Sequence, residues 1–183
     1  MLTSKIDPDI ELRLLQLHHA EEVLAVVDEH RAHLRKWLPW VDATNSASDT
    51  RAFIAKSLGE LAEGAGLVLG VWCAGQYAGT VGCHRFDLAN HRAEIGYWLA
   101  ERHQGRGIIT AGCRALIGHL FGELGMERVE LRAVVDNYKS RVVAERLGFR
   151  EEGVLRHAQL RHGCYDDLVI YGSGGTRATA IMP

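Results

Sequence analysis

Apolar residues recur at two spacings along this chain, and these spacings predict alternating strands and helices. Ile10, Leu12 and Leu14 alternate with charged residues, which is the period of a half-buried strand. Between residues 20 and 37 the apolar positions keep helical spacing instead, and Pro39 ends that helix. Read in this way, the chain predicts strands at 10–14, 67–72, 77–83, 93–99, 128–134, 152–160 and 165–171, and helices at 20–37, 49–63, about 108–124 and 138–147.

The order of these elements predicts a mixed α/β sheet with flanking helices. A chain of 183 residues is long enough to bury a core, and it shows no internal repeat or linker. We therefore expect one domain at 1–172, and we expect residues 173–183, which are small and polar, to form a flexible tail.

Composition and charge narrow the classes of function. Apolar residues make up 47% and charged residues 24%, which is typical of a globular protein, and the net charge is −2. Without an overall positive field, neither nucleic acid nor a membrane surface is an expected partner, so any bound anion is held locally. The sequence has no apolar run long enough to cross a bilayer, and we expect neither a membrane span nor a signal peptide. We expect a cytoplasmic protein with reduced cysteines.

A loop with two glycines separates the predicted strand at 93–99 from the next helix. Glycine lets the backbone turn tightly, and the N–H groups of a helix's first turn favour an anion in front of them. Arg102 and Arg106 add positive charge, so the loop suits a diphosphate, although a plain strand-to-helix turn needs glycine equally. Neither a P-loop nor the third glycine of the dinucleotide fingerprint is present. The loop and first helical turn comprise Arg102, His103, Gln104, Gly105, Arg106, Gly107, Ile108, Ile109 and Thr110.

Four short motifs occur in a fixed order along the chain. They are E-I-G-Y-W-L at 94–99, R-x-x-G-x-G at 102–107, N-x-x-S at 137–140 and L-G-F at 147–149. Together they resemble the GNAT superfamily of acetyltransferases, and within it the RimJ/RimL type, which acetylates the N-termini of ribosomal proteins. The resemblance runs from about residue 2 to residue 171 and includes H-L-x-x-W-L at 33–38. It implies a GNAT fold, whose mostly antiparallel sheet splays open between the predicted strands 4 and 5, at 93–99 and 128–134.

The resemblance also implies the cosubstrate, acetyl-coenzyme A, and no metal. In this family the loop that matches 102–107 wraps the pyrophosphate of coenzyme A, and the pantetheine arm bonds to the backbone exposed in the gap. Separated strands leave N–H and C=O groups unpaired, and a polyamide arm can satisfy them. Asn137 matches a residue that contacts the arm, and it is equally suited to cap the next helix. The positions assigned to coenzyme A are Trp98, Leu99, the loop and first helical turn from Arg102 to Thr110, Asn137 and Ser140.

Two residues are candidates for proton transfer. Ser140 matches the family residue proposed to protonate the departing thiolate, although an ordinary first-turn serine would occupy the same position. Glu94 is the candidate base, because strand alternation places it on one face with Gly96 and Trp98. If that face meets the acceptor, Glu94 can remove a proton through a water molecule. The alternative is a strand carboxylate paired with an arginine.

Trp37, Trp40 and Gln159 are assigned to the acceptor site by the resemblance. Tryptophans at this spacing also serve as core or lid packing. Gln159 lies where ribosomal acetyltransferases of this type can have a glutamate proposed as the base, and an amide cannot accept a proton at neutral pH. An α-amine, with an ordinary pKa of about 7.7–8.0, needs less help than a lysine with about 10.4. The missing glutamate therefore favours a protein N-terminus as acceptor.

The predicted function is acetyl transfer from acetyl-coenzyme A to an amine, with a ribosomal-protein N-terminus as the expected acceptor and a homodimer expected by family analogy. Two alternatives stay open, namely transfer to a small-molecule amine and a module that binds acyl-coenzyme A without catalysis. Longer acyl donors, including succinyl, also stay open. The ten histidines form neither H-E-x-x-H nor a pairing with cysteines at ligand spacing, so no metal site is expected.

Overall fold

The computed structural model describes residues 3–175, in which helices lie against both faces of an eight-stranded sheet. The strands are β1 (Thr3–Lys5), β2 (Ile10–Leu14), β3 (Leu67–Cys73), β4 (Gln76–Asp87), β5 (Arg92–Leu99), β6 (Arg128–Val134), β7 (Arg150–Arg161) and β8 (Cys164–Gly174). The helices are α1 (Ala20–Glu29), α2 (Arg31–Leu34), α3 (Ala47–Ala62), α4 (Ile108–Gly122) and α5 (Tyr138–Arg146). Short 3-10 helices occupy Leu17–His19, Pro39–Ala43 and Glu101–His103.

The strands lie in the order β1-β2-β3-β4-β5-β6-β8-β7, and each neighbouring pair is antiparallel except β5 and β6. That parallel pair is in register from Arg92↔Arg128 only as far as Ile95↔Leu131. Beyond those residues β5 continues to pair with β4, and β6 with β8, but not with each other. The sheet therefore opens between β5 and β6, which confirms the predicted splay between 93–99 and 128–134.

Two apolar layers hold the helices to the sheet. On one face α4 packs Leu116 and Leu120, both fully buried, against the strands, and α5 joins the same layer. On the other face α1 and α3 pack against the sheet, with Ile54 fully buried. Burying one such side chain stabilises the fold by about 1.5–3 kcal/mol. Because side chains alternate along β5, this strand contributes Ile95 to the α4 layer and Trp98 to the α1/α3 layer.

The predicted single helix at 20–37 is wrong in its length. His30 leaves helical geometry, with φ −113° and ψ 13°, and divides the segment into α1 and α2. After the break, Leu34 of α2 is buried in the same layer as Val27 of α1. The segment that follows α2 forms a 3-10 helix at Pro39–Ala43.

The two ends of the domain also differ from the prediction. Strand β1 is three residues long, which is too short for an alternation to be visible in the sequence. Strand β8 continues through Gly174 and pairs Ser173 with Val129, so the domain boundary predicted after residue 172 falls inside a strand and is corrected. Residues 176–183 of the predicted tail lie outside the described residues.

Candidate active site

The loop before α4 presents backbone N–H groups that the helix does not use. Gly105 and Gly107 have φ of +74° and +76°, a conformation that glycine adopts without the cost it carries for other residues. Gly107 is the N-cap residue, and the first helical hydrogen bond runs from Ala111 N–H to its carbonyl at 2.9 Å. The amides of residues 108–110 therefore have no partner within the helix. The positive end of the helix dipole adds to them, so the loop suits a diphosphate.

The two arginines of this loop are held by neighbouring side chains. Arg102 forms an ion pair with Glu29 at the end of α1, and its Nε lies 3.2 Å from His103 Nε2. Arg106 approaches the other ring nitrogen, Nδ1, at 3.5 Å. Burial, followed by repulsion from the two guanidinium groups, lowers the pKa of His103, so its imidazole is neutral. Because Glu29 offsets the charge of Arg102, Arg106 is the more available cation for a phosphate.

Several predicted coenzyme positions build the loop with their side chains. The side chains of Leu99, Ile108 and Ile109 are buried in the α4 layer, which leaves their backbone for a ligand. Gln104 lies 2.7 Å from His33 Nε2 and accepts a hydrogen bond from Lys139 Nζ at 3.0 Å. This amide therefore ties the loop to α2 on one side and to α5 on the other.

A cavity of about 470 Å³ lies in the opening between β5 and β6. Its lining includes Trp37 and Trp40 from the segment after α2, and Asn137 and Ser140 from the start of α5. Because α5 packs on the α4 face of the sheet while α1 and α3 cover the other face, the cavity passes through the sheet. It thus connects the face of the sheet that carries α4 and α5 to the face that carries α1 and α3.

Ser140 and Asn137 lie on one wall of this cavity. Asn137 Oδ1 accepts a hydrogen bond from Ser140 N–H at 3.2 Å, which is the cap predicted from sequence. The Ser140 hydroxyl lies 2.7 Å from the Tyr97 hydroxyl, which is also 3.3 Å from the Ser140 carbonyl oxygen. Burial raises the pKa of Tyr97, so the phenol stays protonated and can donate. The sequence motif contains Tyr97, but only the fold shows that it contacts Ser140.

Glu94 lies on the cavity's other wall, on the face of β5 that the strand alternation predicted. Its Oε2 is 3.3 Å from Arg132 Nη2, and Arg132 also approaches Glu130 at 3.5 Å. Glu94 is therefore paired with an arginine, as the alternative interpretation predicted, and it also lines the cavity. Its role as a base stays a prediction. A second cavity, of about 650 Å³, adjoins the first and shares Glu94, Arg132 and His84 with it.

The three predicted acceptor residues meet at the mouth on the α1/α3 side. The rings of Trp40 and Trp98 are 6.0 Å apart, and Trp40 is 36% exposed, so it is a wall rather than core. Gln159 Nε2 donates a hydrogen bond to the Trp37 carbonyl at 3.4 Å, which ties β7 to the segment after α2. A glutamate could not donate this bond. The guanidinium of Arg161 lies over the Trp37 ring at 6.0 Å.

Several residues that line the cavity were missed by the sequence analysis, and His84 is the one among them with an imidazole side chain. His84 lies on β4 and lines both cavities, and no motif in the sequence contains it. Loss of surrounding water lowers its pKa, so its imidazole is neutral at pH 7. Its position follows from an irregularity in the β4–β5 pairing, which an apolar–polar pattern does not reveal.

The part of the chain that the structure describes offers little support for a metal site, a membrane span or a cysteine nucleophile. Residues 3–175 contain no group of three or more side chains able to hold a metal ion, and none of their helices is long and apolar enough to span a membrane. Cys113 is fully buried, and burial raises the pKa of its thiol, so it is a poor nucleophile.

Comparison with known proteins agrees with this geometry. Residues 9–150 match the family model described as an acetyltransferase (GNAT) domain. YdaF of Bacillus subtilis is 39% identical over 93% of this chain and 94% of its own, and the ribosomal-protein-serine acetyltransferase of Escherichia coli is 31% identical over 92% and 94%. The structure of RimL, a ribosomal L7/L12 alpha-N-protein acetyltransferase in complex with coenzyme A, superposes with a TM-score of 0.91 at 27% identity, over 94% of this chain and 97% of that one. An open sheet, an amide-lined loop beside the opening and a family match over most of the chain lead to one conclusion: this protein belongs to the GNAT family of acetyltransferases.

Proposed function

We propose that this acetyltransferase moves the acetyl group of acetyl-coenzyme A to the α-amine at the N-terminus of a protein, and that the acceptor is a ribosomal protein. The observation that supports it most is the cavity in the opening between β5 and β6, because residues from both faces of the sheet line it and a thioester and an amine can therefore meet there. Relatives that span nearly the whole chain are named for ribosomal acceptors.

The donor side is formed by the loop and by the edges of the open strands. The amides of residues 108–110 suit the diphosphate, with Arg106 as the nearby cation. The unpaired backbone beyond Ile95 suits the amides of the pantetheine arm. Ser140, directed into the gap, stabilises the sulfur that leaves, since a hydroxyl can donate a hydrogen bond to a developing thiolate.

The acceptor side favours an N-terminal amine over a lysine. Position 159 holds an amide, and Glu94 is paired with Arg132, so neither residue provides an unpaired carboxylate. An α-amine loses its proton near neutral pH without such help, whereas a lysine does not. We propose that Glu94 provides a negative charge on the cavity wall, beside the reacting amine.

The cellular setting and assembly are part of the same proposal. A ribosomal acceptor places the enzyme in the cytoplasm, where the buried Cys73 and Cys113 and the exposed Cys164 would stay reduced. The homodimer expected from the family resemblance is proposed as well, and analytical ultracentrifugation of the purified chain tests it through the measured mass.

The acceptor is tested by incubating the protein with acetyl-coenzyme A and two matched peptides. One peptide has a free N-terminus and no lysine, and the other has a formylated N-terminus and one lysine. We expect acetylation of the first peptide only, located on the α-nitrogen by tandem mass spectrometry. Acetylation of the lysine peptide, or of a small polyamine at a higher rate, would contradict the proposal, as would thioester loss without any acetylated acceptor.

A further inference from the structure

A bulge in β4 directs His84 into the active-site cavity. The antiparallel pairing of β4 with β5 includes Cys83↔Ile95, and the next pair is Arg85↔Glu94, so His84 is an extra residue between them. Such a bulge re-aims a side chain, and bulges are frequent beside active sites. Here the re-aimed imidazole lines the cavity between β5 and β6 and also its neighbour.

The imidazole of His84 lies close to a glycine on the adjacent strand. A Cβ atom built on Gly96 would lie 3.4 Å from both Cδ2 and Nε2 of His84. Gly96 directly follows Ile95, the last residue of β5 that pairs with β6. The ring edge that holds Nε2 therefore lies against β5 at the point where the gap opens, which is where a thioester arm in the gap meets an amine from the opposite mouth.

The charges around His84 come from three elements. Glu60 and Lys56 belong to α3, Glu94 to β5 and Arg132 to β6. Loss of water has the largest effect and lowers the pKa of His84, whereas the carboxylates of Glu60 and Glu94 oppose that shift and Lys56 adds to it. At neutral pH one ring nitrogen thus has a free lone pair. His84 is also exposed, so its proton can exchange with solvent.

We propose that His84 is the catalytic residue that accepts the proton lost by the acceptor amine, an assignment that rests on the proposed acetyltransferase function. The amine nitrogen forms a bond to the thioester carbonyl carbon, and its N–H proton passes to the imidazole. The C–S bond then breaks, and its electron pair leaves with the sulfur, which Ser140 stabilises. The thiolate takes a proton from water as it departs, and the imidazolium returns one to water.

Glu94 has a different part in this step. One of its oxygens is engaged by Arg132 at 3.3 Å, while its charge favours the protonated form of His84. The carboxylate therefore stabilises the imidazolium that forms during transfer. This arrangement supplies a base without the glutamate that is missing at Gln159.

The test is the pH dependence of kcat, with acetyl-coenzyme A and an N-terminal peptide both saturating. For the unaltered enzyme we expect kcat to fall as the pH drops through a value below the ordinary histidine pKa of about 6.5. For His84→Gln we expect kcat at pH 7 to be lower by roughly 10²-fold and the acidic fall to disappear. Calorimetry with coenzyme A on this variant should give an unchanged Kd, which shows that the site is intact.

Two further variants change the pKa of His84 without replacing the residue, and they test the proposal if His84→Gln does not fold. Glu60→Gln removes a charge that favours the imidazolium, so the acidic limb should move to lower pH, and Lys56→Gln should move it to higher pH. An acidic limb that persists in His84→Gln, or that moves in neither charge variant, would overturn the assignment. If the unaltered enzyme acetylates no α-amine at any pH, the proposed function itself fails, which is a distinct result.

Discussion

At the scale of single residues, the contact between Ser140 and Tyr97 connects the sequence motif to the chemistry. The two hydroxyls lie 2.7 Å apart, and burial keeps the phenol protonated by raising its pKa. When the Tyr97 hydroxyl donates a hydrogen bond to Ser140 Oγ, the hydroxyl proton of Ser140 is free to point into the cavity. We infer that Tyr97 positions this proton for the departing sulfur.

Replacing Ser140 with alanine should lower kcat by roughly 10²-fold, because the leaving sulfur loses its hydrogen-bond donor. The Kd for coenzyme A should stay within about threefold, because the amides of α4 are untouched. Tyr97→Phe is the matched control: it keeps the serine hydroxyl and should lower kcat by less. Steady-state kinetics with calorimetry measures both effects, and full turnover in Ser140→Ala would remove this role.

Restoring a carboxylate at position 159 should not speed the reaction. Gln159→Glu removes the hydrogen bond donated to the Trp37 carbonyl, and we expect it to lower the free energy of unfolding by about 1 kcal/mol. At pH 7 we expect kcat on an α-amine peptide to be unchanged or reduced, because the proposed base is His84 and needs no carboxylate at position 159. Urea unfolding and peptide kinetics are the measurements, and a several-fold rise in kcat would show that the missing glutamate limits this enzyme.

At the scale of elements, the start of α4 determines how the donor is held. Gly107→Ala forces a side chain into φ +76°, which costs about 1–2 kcal/mol and tilts the first-turn amides away from the diphosphate. We expect calorimetry to show coenzyme A binding weakened by roughly five- to thirtyfold. Gly118→Ala is the control: it lies exposed within the same helix with open space around it, so it should stabilise the fold by up to about 1 kcal/mol without altering binding. Equal weakening by both variants would refute the anion site.

The elements that the sequence predicted well are those with a complete apolar period. The strand at 128–134 and the cap at Asn137 are as expected, because β-branched residues and a capping side chain are local signals. The break at His30 and the bulge at His84 were not predictable, since both result from packing against distant parts of the chain. The splay between β5 and β6 came from the family resemblance, not from periodicity.

At the scale of the whole molecule, the active site is a passage through the sheet. The sequence places Trp37 and Gln159 122 residues apart, and only the fold brings them into contact at one mouth. The loop residues were predictable as a group, because a glycine-bearing turn before a helix is a local feature. The depth of the passage was not, because it depends on how far β5 and β6 separate.

Trp40→Ala should affect the acceptor and not the donor. The Trp40 ring lines the mouth beside Trp98. Losing the contact between this ring and a bound peptide should cost about 0.5–1.5 kcal/mol of binding free energy. We expect the KM for the peptide to rise roughly three- to tenfold, with an unchanged Kd for coenzyme A. Leu124→Ala, an exposed apolar residue outside both cavities, should change neither constant. If Trp40→Ala weakened only the binding of coenzyme A, Trp40 would belong to the donor side, and the assignment of the two mouths would be reversed.

The central claim is that donor and acceptor occupy one passage at the same time from opposite sides. Calorimetric titration with a bisubstrate analogue, coenzyme A joined through an S–CH2–CO linker to a peptide α-nitrogen, tests it directly. The account predicts an affinity at least roughly 10²-fold higher than that of either half alone, because linking two simultaneous ligands makes the second binding intramolecular. An affinity equal to that of coenzyme A alone would contradict it.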